Sequence, residues 1–271
     1  MTPIALTIAG SDSGGGAGIQ ADLKTFSALG VYGASVLTAL TAQNTRAVTR
    51  IEAVSPAMIA AQMEAVFDDL AVCAVKLGML GGPAAMEAVA DGLAGRDVPV
   101  VLDPVMVAKS GDRLLPPEAL TCLRRRLLPL ATVLTPNLPE AADLLGCAPA
   151  VTEAERVRQG RALQAMGPKA VLMKGGHAEG ADCVDLLISD TDVLRLTAPR
   201  HPTRNTHGTG CTLSAAIAAG LAQGQGLEPT LHQAHAYLQG AIAAADGLRI
   251  GAADGGGHGP VHHFHKVWAH G

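Results

Sequence analysis

The sequence predicts an α/β fold in which helices cover both faces of a central, mostly parallel sheet, giving three layers. Short apolar runs alternate along the chain with longer segments of helical period. The apolar runs lack polar alternation, which is typical of strands buried on both faces. No internal repeat or low-complexity linker interrupts the 271 residues, so we expect a single domain spanning 1–271.

Each predicted strand is a short apolar run that ends at a turn residue or a polar residue. The first run precedes a glycine-rich turn, and the last two are close enough in sequence to form a hairpin at the sheet edge. The predicted strands cover residues 4–9, 35–42, 72–77, 98–102, 131–134, 170–173, 184–188 and 193–196.

Helices are predicted where apolar residues recur at helical spacing, as Met63, Val66 and Leu70 do. Pro56 suits the first turn of that same helix, because a proline there loses no intrahelical hydrogen bond. The predicted helices cover residues 18–29, 56–70, 83–93, 116–128, 140–145, 153–166, 208–223 and 230–248.

The composition predicts a core of small aliphatic side chains. Apolar residues make up 48% of the chain, but aromatic residues make up only 2%. Ala, Val, Leu and Ile must therefore fill the core, which requires close approach between helices and sheet. Glycine, at 32 of 271 residues, exceeds the average of about 7% and is clustered, which indicates loops shaped for a ligand.

Charge and hydropathy exclude several classes of protein. The net charge is −4 and the basic run 124–126 is isolated, whereas a nucleic-acid-binding protein needs a basic face. The charge-free stretches 25–45 and 205–227 contain many polar residues, so neither suits a bilayer. The start has no leader pattern, and five scattered cysteines indicate free thiols in a reducing compartment. We therefore expect a soluble, cytoplasmic protein without nucleic-acid or membrane partners.

Ligands of such sheets bind outside the carboxyl ends of the strands, so the loops that follow the strands are the candidate site. The first loop, 9–18, reads Ala-Gly-Ser-Asp-Ser-Gly-Gly-Gly-Ala-Gly. It matches neither the dinucleotide fingerprint nor the P-loop. Its glycines would let the backbone approach a substrate closely, although a flexible turn is the alternative.

The loop 205–212, Asn-Thr-His-Gly-Thr-Gly-Cys-Thr, leads directly into a predicted helix. Gly208 and Gly210 allow a tight turn whose N–H groups point the same way, beside the positive end of the helix dipole. This combination predicts an anion hole for phosphate. Cys211 lies in the first turn, where the dipole is expected to lower the thiol pKa; the alternative is a small buried hydrophobe.

Three further strand ends carry charged groups. Asn137 and Glu140 stand three apart at a helix start, a spacing that fits a hydrated Mg²⁺ and a helix cap equally well. Asp103 follows another strand and could join Glu140 at the metal, and segment 109–111 could form a flap. Lys174 follows a third strand and could reach a phosphate.

Four motifs stand beside these loops: Gly-Ile-Gln-Ala-Asp-Leu-Lys-Thr-Phe at 18–26, Thr-Ala-Gln-Asn-Thr at 41–45, Lys-Leu-Gly-Met-Leu at 76–80 and Gly-His-Gly-Pro-Val-His-His-Phe-His at 257–265. With them the chain resembles, nearly end to end, the hydroxymethylpyrimidine/phosphomethylpyrimidine kinases of thiamine biosynthesis, in the ribokinase-like superfamily. The resemblance implies a ribokinase-like α/β/α fold, ATP as co-substrate, Mg²⁺ and a homodimer.

The resemblance also implies how the pyrimidine is held. Gln43 would bind the aminopyrimidine edge, because an amide offers both a donor and an acceptor. Met79 and Val105 would pack against the ring, and Asp22 and Ala17 would line the same pocket.

The resemblance also implies which residues bind ATP and Mg²⁺ and which are catalytic. The residues that would bind ATP are Lys174, Thr206, His207 and Thr209. Mg²⁺ would lie near Glu140 and Asp103. The catalytic residues would be Gly208, Gly210 and Cys211, the last replacing the aspartate base of related sugar kinases, which argues against a sugar substrate.

The implied reaction is in-line transfer of the ATP γ-phosphoryl group to the hydroxymethyl oxygen, followed by a second transfer onto the monophosphate. Pyridoxal or pyridoxine phosphorylation is the alternative within kinases. Two other classes stay open: acyl transfer by Cys211 with His207 nearby, and silent pyrimidine binding. The histidines of segment 257–265 are spaced too tightly for one tetrahedral metal site, so we expect that segment to dock on the protein.

Overall fold

The computed structural model describes residues 1–107, 118–176, 180–190, 192–251 and 256–268. Nine strands form one continuous sheet. The strands are β1 Ile4–Asp12, β2 Tyr32–Gln43, β3 Val48–Ala53, β4 Ala74–Leu77, β5 Val100–Leu102, β6 Val133–Leu134, β7 Ala170–Met173, β8 Asp182–Ile188 and β9 Val193–Pro199.

The sheet has the strand order β3-β2-β1-β4-β5-β6-β7-β8-β9. Neighbours from β2 to β7 pair in parallel, and antiparallel strands complete both edges. The predicted fold class is confirmed, and so is the edge hairpin of β8 and β9. Strand β3 was not predicted, because its sequence Val-Thr-Arg-Ile-Glu-Ala lies on an exposed edge and carries no buried pattern.

Helices cover both faces of the sheet. They are α1 Gly18–Ala28, α2 Pro56–Asp69, α3 Pro83–Leu93, α4 Ala119–Cys122, α5 Leu138–Leu145, α6 Glu153–Gln164, α7 Thr209–Ala222 and α8 Leu227–Ala243. None of the helices among the described residues is long and apolar enough to cross a membrane.

The helix predicted over 116–128 is helical from Ala119 onward, but it is not one regular α-helix. Residues 116 and 117 lie outside the described part of the chain, and α4 continues as a π-turn at Leu123–Leu127 and a 3₁₀ turn at Leu128–Leu130. Pro129 has no N–H and cannot continue an α-helical ladder. The other predicted elements are confirmed, most of them with shifted ends. The helix predicted over 230–248 begins three residues earlier and is followed by a 3₁₀ turn at Ala245–Gly247.

Two hydrophobic cores lie on opposite faces of the sheet. One is formed with α2 to α6 and contains Leu102, and the other is formed with α1, α7 and α8 and contains its neighbour Val101. The expectation of close packing by small side chains is met in α7. A Cβ at Gly220 would lie 2.7 Å from Thr230 Cγ2, so α7 and α8 approach more closely than a larger residue would allow.

Candidate active site

The loop after β1 is organised around a buried carboxylate. Asp12 accepts hydrogen bonds from the backbone N–H groups of Gly14 (2.8 Å), Gly16 (3.1 Å) and Ala17 (2.9 Å). Burial opposes ionisation of Asp12, but a hydrogen bond and charge interaction with His207 outweigh it together with these amides, so the Asp12 pKa lies below its usual value. The glycine loop is therefore held in one conformation, and its amides are already engaged.

The loop 205–212 packs directly on the glycine loop. His207 Nε2 lies 2.9 Å from Asp12 Oδ2. Gly208 adopts φ +82°, and a Cβ there would lie 1.9 Å from the Gly16 carbonyl oxygen, so only glycine fits. The ring of His207, predicted to bind ATP, thus contacts the glycine loop.

The start of α7 lies beside the charged strand ends. A Cβ at Gly210 would lie 3.3 Å from Lys174 Nζ and 3.4 Å from Asp103 Oδ2. Thr209 N–H is directed back to the carbonyl oxygen of Thr206 at 3.4 Å. The structure therefore brings the predicted anion hole and the predicted phosphate lysine together.

Lys174 joins two carboxylates from different elements. Its Nζ lies 2.8 Å from Asp103 Oδ1 and 3.9 Å from Glu140 Oε2. Thr135 Oγ1 also donates to Asp103 Oδ1, at 3.2 Å. Burial raises the pKa of Glu140 to about 7, although Lys174 opposes the shift. Glu140 is therefore ready to exchange its proton for a nearby cation.

Asn137 and Glu140 form the predicted helix cap. Asn137 Oδ1 accepts from the Glu140 N–H at 2.8 Å, and Glu140 Oε2 accepts from the Asn137 N–H at 2.7 Å. The same Glu140 oxygen faces Lys174, so capping and a charged role coexist.

The donor set fits Mg²⁺ bound mainly through phosphate and water. Once Glu140 has lost its proton, Asp103 and Glu140 carry two negative charges against the single positive charge of Lys174. Among the described residues, no group of three His, Cys, Asp or Glu side chains could hold a metal by itself. One or two carboxylates plus phosphate oxygens is the usual protein environment of Mg²⁺.

The expected lowering of the Cys211 pKa is wrong. Burial raises the pKa of this thiol to about 11, although the charge of Lys76 and a hydrogen bond from the Gly18 N–H act in the opposite direction. Loss of solvation at this half-buried position outweighs the effect expected from the dipole of α7, so Cys211 is a neutral thiol at pH 7.

Beneath Cys211 lies a buried ion pair that the sequence reasoning missed. Lys76 Nζ is 2.8 Å from Asp22 Oδ2, and Thr7 Oγ1 donates to the same oxygen at 2.6 Å. Both charged side chains are 0% exposed. In the structure Asp22 is the partner of Lys76. That Asp22 lines the pyrimidine pocket stays a prediction. The available signal was a lysine inside the apolar strand Ala-Val-Lys-Leu.

The predicted pyrimidine side gathers at the ends of β1 and β2. Gln43 N–H donates to Ser13 Oγ at 2.8 Å, and Ser13 Oγ donates to the Gln43 carbonyl at 2.7 Å. A Cβ at Gly10 would lie 2.4 Å from Met79 Cε, so Met79 lies over the glycine loop. Val105 lines a small cavity with Gly78, beyond the ends of β4 and β5. The flap predicted at 109–111 lies outside the described residues.

Segment 257–265 docks on Thr45, just after β2, and on loop 205–212. His258 N–H donates to Thr45 O at 2.8 Å, and His207 N–H donates to Gly259 O at 3.0 Å. His263 Nε2 lies 3.1 Å from Thr212 Oγ1, and burial lowers the His263 pKa to about 3. Its contacts are those of the docking segment that the sequence predicts.

Comparisons with known proteins find relatives along nearly the whole chain. A family model described as phosphomethylpyrimidine kinase matches residues 12–262. A hydroxymethylpyrimidine/phosphomethylpyrimidine kinase of Rhizobium meliloti is 60% identical over 99% of each chain. The structure is similar to that of a Clostridium difficile phosphomethylpyrimidine kinase, with TM-score 0.79, 43% identity and coverage of 88% of this chain and 99% of that one. It is also similar to a Bacillus subtilis pyridoxal kinase in complex with ADP, with TM-score 0.87, 35% identity and coverage of 97% and 98%.

Proposed function

The chain belongs to the phosphomethylpyrimidine kinase family, and from this premise we propose that it phosphorylates 4-amino-5-hydroxymethyl-2-methylpyrimidine and then its monophosphate, in thiamine biosynthesis. ATP is the phosphoryl donor. The observation that carries the proposal is the meeting of Lys174, Asp103 and Glu140 at the start of α7, because this combines a fixed cation, a carboxylate pair and backbone donors at one point.

The phosphate side works by position and charge. Phosphoryl transfer demands little covalent chemistry from the protein, and most of its acceleration comes from holding the groups in line and stabilising negative charge. Asp103 holds the Lys174 ammonium beside Gly210, so the ammonium and the N–H groups of the α7 start can face the same phosphoryl oxygens. The missing side chain at Gly210 leaves that space open.

Glu140 and Asp103 are the residues that would hold Mg²⁺. When bound, the ion would neutralise charge on the ATP phosphates. The Glu140 carboxyl, with a pKa of about 7, would lose its proton on cation binding.

We assign to Cys211 the acceptance of the proton from the substrate hydroxyl. The thiol is neutral in the ligand-free protein and holds its own proton, so Cys211 must first lose that proton to solvent and can accept the substrate proton only as a thiolate. Lys76 lies close enough for its charge to lower the Cys211 pKa, and it is the residue that would stabilise the thiolate. The backbone of Gly208 and Gly210 supplies the anion hole.

On the acceptor side, the Gln43 amide would bind the aminopyrimidine edge, and Met79 and Val105 would cover the ring. Ala17, whose N–H donates a hydrogen bond to Asp12 Oδ2, would border the pyrimidine site. Thr206 and Thr209 lie within loop 205–212, on the two sides of His207 and Gly208, and would contact the ATP phosphates.

The first experiment measures ADP release from Mg-ATP with the pyrimidine and with its monophosphate. Turnover of both supports a two-step kinase. Turnover of neither, by folded protein, refutes the proposal. Lys174→Met is expected to lower turnover at least a hundredfold, and Lys169→Met, on an exposed lysine, serves as the matched control.

Pyridoxal phosphorylation is the second candidate, favoured by the similarity to the Bacillus subtilis pyridoxal kinase. A panel with pyridoxal and pyridoxine beside the pyrimidine separates the two activities, since the larger kcat/KM identifies the substrate.

We also propose that residues 1–271 act as one domain and that two copies form a homodimer in the cytoplasm, with small molecules rather than nucleic acid or membrane as partners. The one sheet that runs through the chain supports the first point. Cooperative unfolding and sedimentation equilibrium test the domain and the dimer.

A further inference from the structure

One imidazole nitrogen joins the glycine loop to the pyrimidine side. His207 Nε2 lies 2.9 Å from Asp12 Oδ2 and 3.3 Å from Gln43 Nε2. His207 is 8% exposed and Asp12 is 4% exposed, so water competes little for the contact between them. The protonation of this one nitrogen therefore determines which atom of the Gln43 amide can face it.

Asp12 places the hydrogen on Nε2. The Asp12 carboxylate accepts three backbone N–H groups, and its pKa lies below the usual value, so it acts only as an acceptor. A ring nitrogen 2.9 Å from such an oxygen must donate. This holds for the neutral Nε2–H tautomer and for the imidazolium alike.

A donating Nε2 cannot also accept from the Gln43 NH₂ group, and two donors 3.3 Å apart repel. Thr41 adds a second constraint. Its hydroxyl has one hydrogen and two acceptors within reach, the Ser11 carbonyl at 2.9 Å and Gln43 Oε1 at 3.1 Å; given to the closer Ser11 carbonyl, the hydrogen leaves the hydroxyl only an acceptor toward the amide. A half-turn of the amide removes the repulsion between donors, because the oxygen then faces the Nε2–H, whose one hydrogen it shares with the closer Asp12 Oδ2, and the NH₂ faces Thr41.

We propose that His207 is a positioning residue that fixes the orientation of the Gln43 amide, and through it the order of donor and acceptor presented to the ring of the substrate. The proposal deepens the proposed function and rests on Gln43 being the residue that contacts the pyrimidine. His207 also belongs to loop 205–212, which forms the anion hole, so the same side chain aligns the pyrimidine site with the anion hole.

The fixed order selects ligands. With the oxygen held toward His207 and one N–H toward Thr41, the amide keeps one lone pair and one N–H for the ligand. A ring edge with a donor beside an acceptor in the matching order satisfies both. An edge with the reverse order places donor against donor and is expected to bind about ten- to a hundredfold more weakly.

The direct test is ¹⁵N NMR of the ligand-free protein at neutral pH. We expect the Nε2 resonance of His207 to be that of a protonated nitrogen, and a nuclear Overhauser contact between the Gln43 NH₂ protons and the Thr41 methyl or hydroxyl. An unprotonated His207 Nε2 that accepts from Gln43 would overturn the inference. This measurement requires no turnover.

Kinetics supply the second test. His207→Leu removes the donor and should raise KM for the pyrimidine at least about tenfold, and His207→Gln, whose NH₂ can replace Nε2–H, should restore most of the loss. Thr41→Val and Thr41→Ser form a second pair, in which only valine lacks the hydroxyl. A purely structural role would lower kcat equally in His207→Leu and His207→Gln and leave the order of substrate preference unchanged, and that outcome would refute the proposal.

The two tests separate this inference from the proposed function. If the native enzyme turns over pyridoxal but not the pyrimidine, the proposed function fails, and the NMR result still decides the amide orientation. If the pyrimidine is the substrate and His207 Nε2 is unprotonated, the inference alone fails.

Discussion

Lys76→Met is expected to destabilise the protein strongly, because it breaks the ion pair beneath the candidate site. Lys76 Nζ lies 2.8 Å from Asp22 Oδ2, and both side chains are 0% exposed. After the substitution the Asp22 carboxyl keeps the Thr7 hydroxyl on one oxygen. Its Oδ1 already lacks a hydrogen-bond partner among the described residues.

Removing one partner of a buried pair costs about 3–5 kcal/mol, since the other charge is left without compensation. Burial already raises the pKa of Asp22, and Lys76 is the largest opposing influence. Without Lys76 the carboxyl can fold only by taking up a proton. The Asp22 pKa in the folded variant then exceeds its value in the unfolded chain. The loss in free energy of unfolding is therefore fully present at high pH, and it shrinks as pH falls toward the unfolded pKa.

Urea unfolding at pH 5 and pH 8 measures both effects. Lys169→Met, on an exposed lysine, is the control and should change the free energy of unfolding by less than about 0.5 kcal/mol. The double variant Lys76→Met/Asp22→Leu should recover most of the loss, because it replaces the pair by apolar side chains. A loss below about 1 kcal/mol in Lys76→Met at pH 8 would refute the reasoning.

Three further predictions concern the site. Gly208→Ala should lower turnover more than about a hundredfold, because its Cβ would lie 1.9 Å from Gly16 O. Gly95 has φ +72° and nothing within 4 Å of a Cβ, so Gly95→Ala controls for backbone strain alone. An equal loss of stability in the two variants would contradict the steric argument. The Glu140 pKa of about 7 lies above the ordinary glutamate value of 4.5, so the contribution of Glu140 to the free energy of unfolding falls as pH rises from 4.5 to 7. Glu140→Gln should remove that decline, on the order of 3 kcal/mol, in urea unfolding across this range, and an unchanged slope would show that burial does not raise the pKa. Cys211→Ala should lower ADP release while pyrimidine affinity by calorimetry stays nearly intact, and unchanged turnover would exclude a chemical role for the thiol.

Much of the site follows from topology that the sequence reveals. Parallel strands end at one edge of a sheet, so the charged residues after separate apolar runs must approach one another. Asp103, Glu140 and Lys174 meet for this reason. The glycines of loop 205–212 likewise predicted a tight turn into α7, where Gly208 has the positive φ that glycine accommodates.

Other features depend on surroundings that no local pattern encodes. The first turn of a helix predicts a lowered thiol pKa for Cys211, but burial in the packed protein raises it to about 11. The exposed strand β3 carries no alternating pattern because neither of its faces is buried.

The sequence by itself determined the alternation of buried strands and helices, the loops that carry chemistry and the family to which the chain belongs. The tertiary structure alone decided which charges meet across the chain, as Lys76 and Asp22 do from 54 residues apart, and which groups lose their water. The physical reason is that backbone conformation depends mostly on neighbours in sequence. Desolvation and ion pairing depend on neighbours in space, which only the packing of α1 and α7 against the sheet brings together.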